Sequence, residues 1–427
     1  MRQSSFERAS VHIRSSPFER SETPRFSAMF AGLMSPRLRT ILPWLGVAVS
    51  ALAIIKATTF PSGTSTHGWS FSLASGDAAI AEIIQNILLF IPLGICLTLA
   101  RVRPVLAIAL GAALSFSVEF SQQWIPGRDP SVGDILNNTI STALGVAITR
   151  TAPRWLLVSP ERSAAQALGT AILAVLVWTG TGIALRPTVP VGPFQTTLRP
   201  DFNYFSRYQG DVVFAKIVQG SLTVKAVWPP PAEQSFRSAP LVVMMDAEGH
   251  RAVLLSEDRT DLALRYDMLA VRLRLEQPDL RWRGAFAPLA PGDTFTTGTW
   301  HDDGHVCLGL NTQSRCNLGY TLGDGWKLIF FPEHFAPWLN ALIDGLWVMG
   351  CVFFMGIWAG RSPPARGIFA RIAVGIVLVG LVVVPWVTGL KGTTLVEWVC
   401  ALLGIEFGLV VGTRSLRSWN DLVDPAA

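Results

Sequence analysis

The chain has 427 residues, of which 50% are hydrophobic and 15% charged, and its mean hydropathy is +0.39. Soluble domains carry about 25% charged residues and one domain takes about 100–200 residues, so neither a soluble protein nor a single domain fits. The net charge of +5 sits in short loops and tails, because residues 186–336 set 15 basic against 16 acidic residues; that distribution points to membrane topology and away from nucleic-acid binding.

Residues 1–39 hold seven Arg and three Glu and no apolar run, so they read as a disordered cytoplasmic tail with no cleavable secretory signal. Apolar stretches of spanning length follow at 40–58, 79–100, 105–125, 135–150, 167–185, 337–360, 368–390 and 394–413. The fourth is short and polar at its start, so it needs neighbouring helices for support. With the tail inside, seventeen of the twenty basic residues outside 186–336 fall on the cytoplasmic side; only Lys56, Arg128 and Lys391 do not. Lys/Arg bias sets orientation. The expected architecture is therefore a multi-domain, multi-pass protein of the plasma (inner) membrane, with about eight helical spans and both termini cytoplasmic. A helical domain occupies 40–150, a cytoplasmic loop and fifth span 151–185, three further spans 337–413, and a cytoplasmic tail 414–427.

Residues 186–336 fall between spans five and six, outside the cytoplasm. Short runs rich in Val, Ile, Leu and Phe, broken by Gly and Pro, predict an all-β sandwich or barrel. "GDVVFAKIVQGSLTVKAVW" holds short apolar runs broken by Gly, "APLVVMMDAEGHRAVLLSED" is two apolar runs joined by a turn-forming Asp-Ala-Glu-Gly, and "LALRYDMLAVRLRLE" and "WKLIFFP" read as further strands. "WPPPAE" reads as a rigid turn.

Cys307 and Cys316, nine apart in an oxidising compartment, are a candidate disulfide. Cys96, Cys351 and Cys400 lie in apolar stretches and read as small hydrophobes. His301, Asp302, Asp303 and His305 offer metal-ligand types, but "DDG" is also a hairpin turn and no metal site is assigned. No phosphate loop, dinucleotide glycine motif or nucleophile elbow is present, and no cofactor is expected. The last three spans carry Asn340 and Asp344, four apart, then Lys391 and Glu397 near the outer side, with Glu406 deeper and read as protonated or bonded to a neighbouring helix. Trp228, Trp282, Trp300 and Trp326 could stack on sugars or fill a core.

The stretch "EFSQQWIPGRDPSVGDILNN" (119–138) is the chemical centre of the first half. Glu82 and Asn86 share a face near the outer end of the second span, Glu119 and Gln122 near that of the third, and Asp134 and Asn138 at the start of the fourth. Arg128 and Asp129 lie in the loop between. These eight residues form a candidate polar pocket opening outward. Its four carboxylates exceed its one arginine, which leaves a formal charge of −3. Such charges are costly in a membrane unless paired or wet. Interhelical hydrogen bonding is the competing explanation.

"NILLFIPLG" (86–94), "EFSQ" (119–122) and "GRDPSVGDILNNTISTALG" (127–145) resemble the VanZ-like family of membrane proteins. The resemblance runs through Asn86, Pro92, Gly94, Glu119, Gln122, Arg128, Asp134, Asn138 and Gly145, and departs at Ser141, where the family often has Gly. It implies a cell-envelope protein connected with low-level resistance to the glycopeptide antibiotic teicoplanin. "GSLTVKAVW" and "GYTLGDGWKLIFFP" are similar to concanavalin A-like, laminin-G-type jelly rolls. The expectation is a non-enzymatic protein whose partners are membrane lipids and an envelope glycan or lipid-linked precursor. The alternative is a membrane-embedded enzyme acting on such a precursor, with a carboxylate as base and Arg128 binding the anion.

Overall fold

The computed structural model describes residues 36–423 apart from 60–67, 72–77, 157, 189–193, 203–204, 219, 231–237, 248, 303–304, 333–334 and 364–366. The expected N-terminal tail up to residue 35, the second half of "WPPPAE" and residues 303–304 of the "DDG" turn lie outside the described residues.

Eight long helices run through the described residues: α1 Pro36–Thr59, α2 Ala79–Leu99, α3 Pro104–Gln122, α4 Val132–Leu156, α5 Pro160–Leu185, α6 Pro337–Arg361, α7 Gly367–Thr388 and α8 Leu395–Val423. Proline opens α3 and α6, a position where its missing N–H and fixed φ cost nothing. Seven of the eight are long and apolar enough to cross a membrane. The exception is α4, the stretch expected as a short fourth span. It is a 25-residue helix, but Asp134, Asn137, Asn138, Arg150 and Arg154 make it too polar to qualify. Among the described residues, seven of the eight expected spans thus qualify by length and composition. At both termini helix enters the expected tails: α1 begins inside 1–39, and α8 runs past 414 to Val423.

The chain forms two compact units. The first draws on residues 1–71, 87–159 and 417–427. Its helices touch through small residues. A Cβ on Gly94 would collide with the Thr142 carbonyl, one on Gly145 would lie 3.0 Å from the Gly94 Cα, and one on Gly111 would strike the Thr142 side chain. Close backbone approach of this kind holds membrane helices together where lipid removes the hydrophobic drive. Ile54, Phe90, Leu93, Leu97, Ala107, Val118 and Val146 form its apolar core.

The second unit takes residues 72–86 and 160–416. Among the described residues its β domain has ten strands: β1 Gln195–Leu198, β2 Val212–Val218, β3 Ser221–Val227, β4 Ala239–Met245, β5 Arg251–Asp258, β6 Asp261–Tyr266, β7 Leu280–Trp282, β8 Thr294–Asp302, β9 His305–Leu310 and β10 Gln313–Leu318. They make two antiparallel five-stranded sheets, ordered β1-β4-β5-β6-β7 and β10-β9-β8-β3-β2. Along β3 the side chains alternate, with Leu222, Val224 and Ala226 buried, as a period of two requires. Trp228, Phe286 and Phe295 pack ring on ring at 4.9–6.3 Å in the core, which also receives Ala184 and Leu185 from the end of α5. The segment around Phe202 and Phe205 lies against the first sheet, with Arg251 5.6 Å over one ring and Arg265 5.2 Å over the other.

Two expected strand stretches are helical in part: "LALRYDMLAVRLRLE" starts as β6 and then turns. After β6, Leu269–Arg272 forms one helical turn, and "RLRL" closes it with Arg274 at φ 53°. The carbonyl of Arg274 accepts the Ile80 and Ala81 N–H groups, satisfying donors that the start of α2 leaves open. "WKLIFFP" begins in a 3-10 helix, Leu322–Leu328, whose Thr321–Asp324 capping box fixes the backbone before any strand can form.

Candidate functional site

In the first unit, the polar residues of 119–138 bond mostly to protein. Glu119, 2% exposed, accepts the Ser131 N–H at 2.8 Å, so the end of α3 holds the start of α4. Asp134 and Arg128 are near enough to act on Glu119 electrostatically. Gln122 donates to the Thr58 carbonyl at 3.1 Å and Arg128 to the Ala57 carbonyl at 3.1 Å, so both reach the end of α1. Buried Asn138 donates to the Ser115 hydroxyl at 3.0 Å across the α3–α4 contact. Its side-chain oxygen finds no partner among the described residues. Ser141, in place of the glycine often found in the family, is fully buried and donates to the Asn137 carbonyl at 2.5 Å. Asp129 precedes Pro130, whose carbonyl accepts the Ser70 N–H.

Glu82 and Asn86 lie on the first two turns of α2, which belong with the second unit. Gln85 between them donates to the Ile329 carbonyl at 2.6 Å, and with the Arg274 cap it anchors that end of the helix to the β domain.

Sequence reasoning missed the junction of the β domain with its own helices. Thr394 and Glu397 form a capping box at the start of α8: the Thr394 N–H donates to Glu397 Oε2 at 2.6 Å, and the Glu397 N–H to the Thr394 hydroxyl at 3.3 Å. The other carboxylate oxygen accepts the Thr321 hydroxyl and the Gly323 N–H, both at 2.6 Å. One fully buried carboxylate thus serves two helix N-termini, where the helix dipole favours negative charge. Beside it Asp344 accepts the Trp326 indole N–H at 2.7 Å, and Lys327 pairs with Asp324 and lies 3.7 Å from Asp344. Burial works against the Lys327 ammonium, yet the two aspartates raise its pKa above the ordinary value. Both boxes, "TLGD" and "TLVE", follow a pattern readable in sequence.

Cys307 and Cys316 are disulfide-bonded and tie β9 to β10. Both sulfurs are thereby engaged, so Asp302, close to them, has no thiolate companion for a metal. His301 pairs across the β8–β9 hairpin with Val306, and Asp302 with His305. Directly paired residues share a face and neighbours alternate, so His301 and His305 point to opposite faces.

At one side of the sandwich, the edge strands β7 and β10 of the two sheets lie together. A cleft of about 460 Å³ opens there, lined by Trp282, Arg283, Gly284, Gln313, Ser314 and Arg315 among others. The Arg315 guanidinium lies 5.5 Å over the Trp282 ring, and Arg283 donates to the Phe335 carbonyl at 2.6 Å. Gly284, at φ 67°, is pinned by its N–H to Asp261 at 2.7 Å. Trp282 is 6% exposed, so Arg315 covers the face a sugar ring would need.

No curated protein and no solved structure matches the chain. Seven apolar helices make it a multi-pass membrane protein. Residues 40–155 match the VanZ/LLP1 family model, about a quarter of the chain, so the stretch carrying α1 to α4 is similar to the VanZ-like membrane domains.

Proposed function

We propose that this is a non-enzymatic protein of the plasma membrane whose β-sandwich faces the cell exterior and binds a glycan of the envelope. The observation that carries the reading is the cleft between β7 and β10, a concave site of a size typical for small ligands, with a few convergent polar groups. The Lys/Arg bias supports an external position for residues 186–336. A concanavalin A-like sandwich suits the same role, and the VanZ-like resemblance supports an effect on glycopeptide susceptibility.

The enzyme reading has less support. Glu119, its best candidate base, accepts a backbone N–H, and Arg128, its anion binder, donates to a backbone carbonyl. A base and an anion clamp need those groups turned to substrate.

The test is titration of the full chain in detergent micelles with oligosaccharides of envelope type, followed by Trp fluorescence or calorimetry. Saturable binding abolished by Trp282→Ala and Arg315→Ala together is expected. Turnover of a lipid-linked substrate that is lost in Glu119→Gln would replace this reading with the enzyme.

A further inference from the structure

We infer that the saccharide bound between β7 and β10 is acidic, its carboxylate held by Arg315; the inference rests on the glycan-binding reading above. The first argument is charge. The cleft contains two arginines and no carboxylate. Several other arginines of the domain are matched with acids: Arg199 with Asp211, Arg272 with Asp267, and Arg281 with Asp258, Asp261 and Asp279. Among the described residues, Arg315 has no ion pair, so the positive charge it brings to the cleft has no carboxylate within ion-pair distance.

The second argument is geometry. Arg315 is exposed, and a guanidinium fork matches a carboxylate bidentately. The cation–π contact, 5.5 Å from the Trp282 ring centre, restrains the side chain and lowers the entropy lost on binding. The backbone behind it is stiffened too: Cys316, the next residue, is bonded to Cys307, and a register shift follows within β10. Gln313, exposed and two residues before Arg315 on the same face of β10, supplies donors and an acceptor for ring hydroxyls. A neutral sugar would gain those contacts but would leave Arg315 unmatched.

The experiment compares an oligogalacturonate trimer with a neutral galactose trimer, using the full chain in micelles. One charge-assisted fork corresponds to about tenfold or more in affinity, so the acidic trimer is expected to bind at least about tenfold tighter. Arg315→Ala is expected to remove that preference, and Arg315→Lys to restore only part of it, because an ammonium keeps the charge but not the fork. An unchanged melting midpoint shows that each variant is folded. Equal binding of both trimers overturns the acidic inference and leaves glycan binding standing. An acidic preference that survives in Arg315→Ala also overturns it. Binding of neither trimer, with neutral and acidic muropeptides equally silent, removes both the inference and the reading beneath it.

Discussion

Glu257 sits in β5 with 1% of its surface exposed and, among the described residues, no partner for its Oε1. Burial and then the neighbouring Asp258 push its pKa up to about 8, against a smaller downward pull from the Arg259 N–H. Between the unfolded value near 4.5 and about 8, the folded chain therefore holds a proton that the unfolded chain has lost. Stability contributed by this group is present below that window and lost as pH rises through it, with a limiting slope of about 1.4 kcal/mol per pH unit. Glu257→Gln is expected to flatten the fall in stability between pH 5 and 8, measured as denaturant unfolding followed by Trp fluorescence. Identical pH slopes in the two proteins would show that Glu257 titrates normally. Sequence alone does not single out this residue, because "SED" looks like a solvated strand end. Cys307 and Cys316 were legible as a candidate bridge, but the Cα separation that decides the bond, 4.0 Å across β9 and β10, is not written in the sequence. The metal-ligand types near them were legible too, but strand pairing, which separates His301 from His305, was not.

At the level of elements, period and composition located every long helix and the two hairpins β2–β3 and β4–β5. They failed where local capping chemistry overrides an apolar run, as in the 3-10 helix at 322–328. The disulfide and the small-residue helix contacts each give a prediction. Cys307→Ser with Cys316→Ser opens a loop of about nine residues, and the chain-entropy cost is about 2.5 kcal/mol. Loss of that order in domain stability is expected, together with weaker glycan binding, because Arg315 lies one residue from the bridge. Gly145→Ala places a methyl against the Ile91 carbonyl and the Gly94 Cα. Backbone cannot rotate away, so overpacking of about 1–3 kcal/mol is expected. Gly169→Ala, where nothing lies within 4 Å, is the control and should be neutral. Equal melting midpoints for the two alanine variants would refute close packing of α2 on α4.

For the whole second unit, the decisive bonds join residues far apart in the chain. The Thr321 hydroxyl and the Glu397 carboxylate are 76 residues apart, which is why the sequence placed Glu397 near the outer end of a span and did not show the bond it makes. Through Glu397 the 3-10 helix that closes the β domain and the first turn of α8 share one acceptor. The sandwich is thus fastened to its helices by polar contacts as well as by the apolar packing of Ala184 and Leu185. Glu397→Ala leaves the buried Gly323 N–H without its acceptor, takes one of two acceptors from the Thr321 hydroxyl and opens the capping box at Thr394, and a buried orphan alone costs about 1–3 kcal/mol. A total near 3 kcal/mol is expected after relaxation. Glu397→Gln keeps one acceptor oxygen and should fall between that variant and the parent. The informative measurement is limited proteolysis alongside thermal unfolding. If the carboxylate fastens the domain, Glu397→Ala should expose cleavage sites between residues 319 and 336 well below the parent's melting midpoint. A variant that melts earlier but is cut nowhere new would show that Glu397 stabilises α8 alone, and the β domain would then owe its attachment to the apolar contacts.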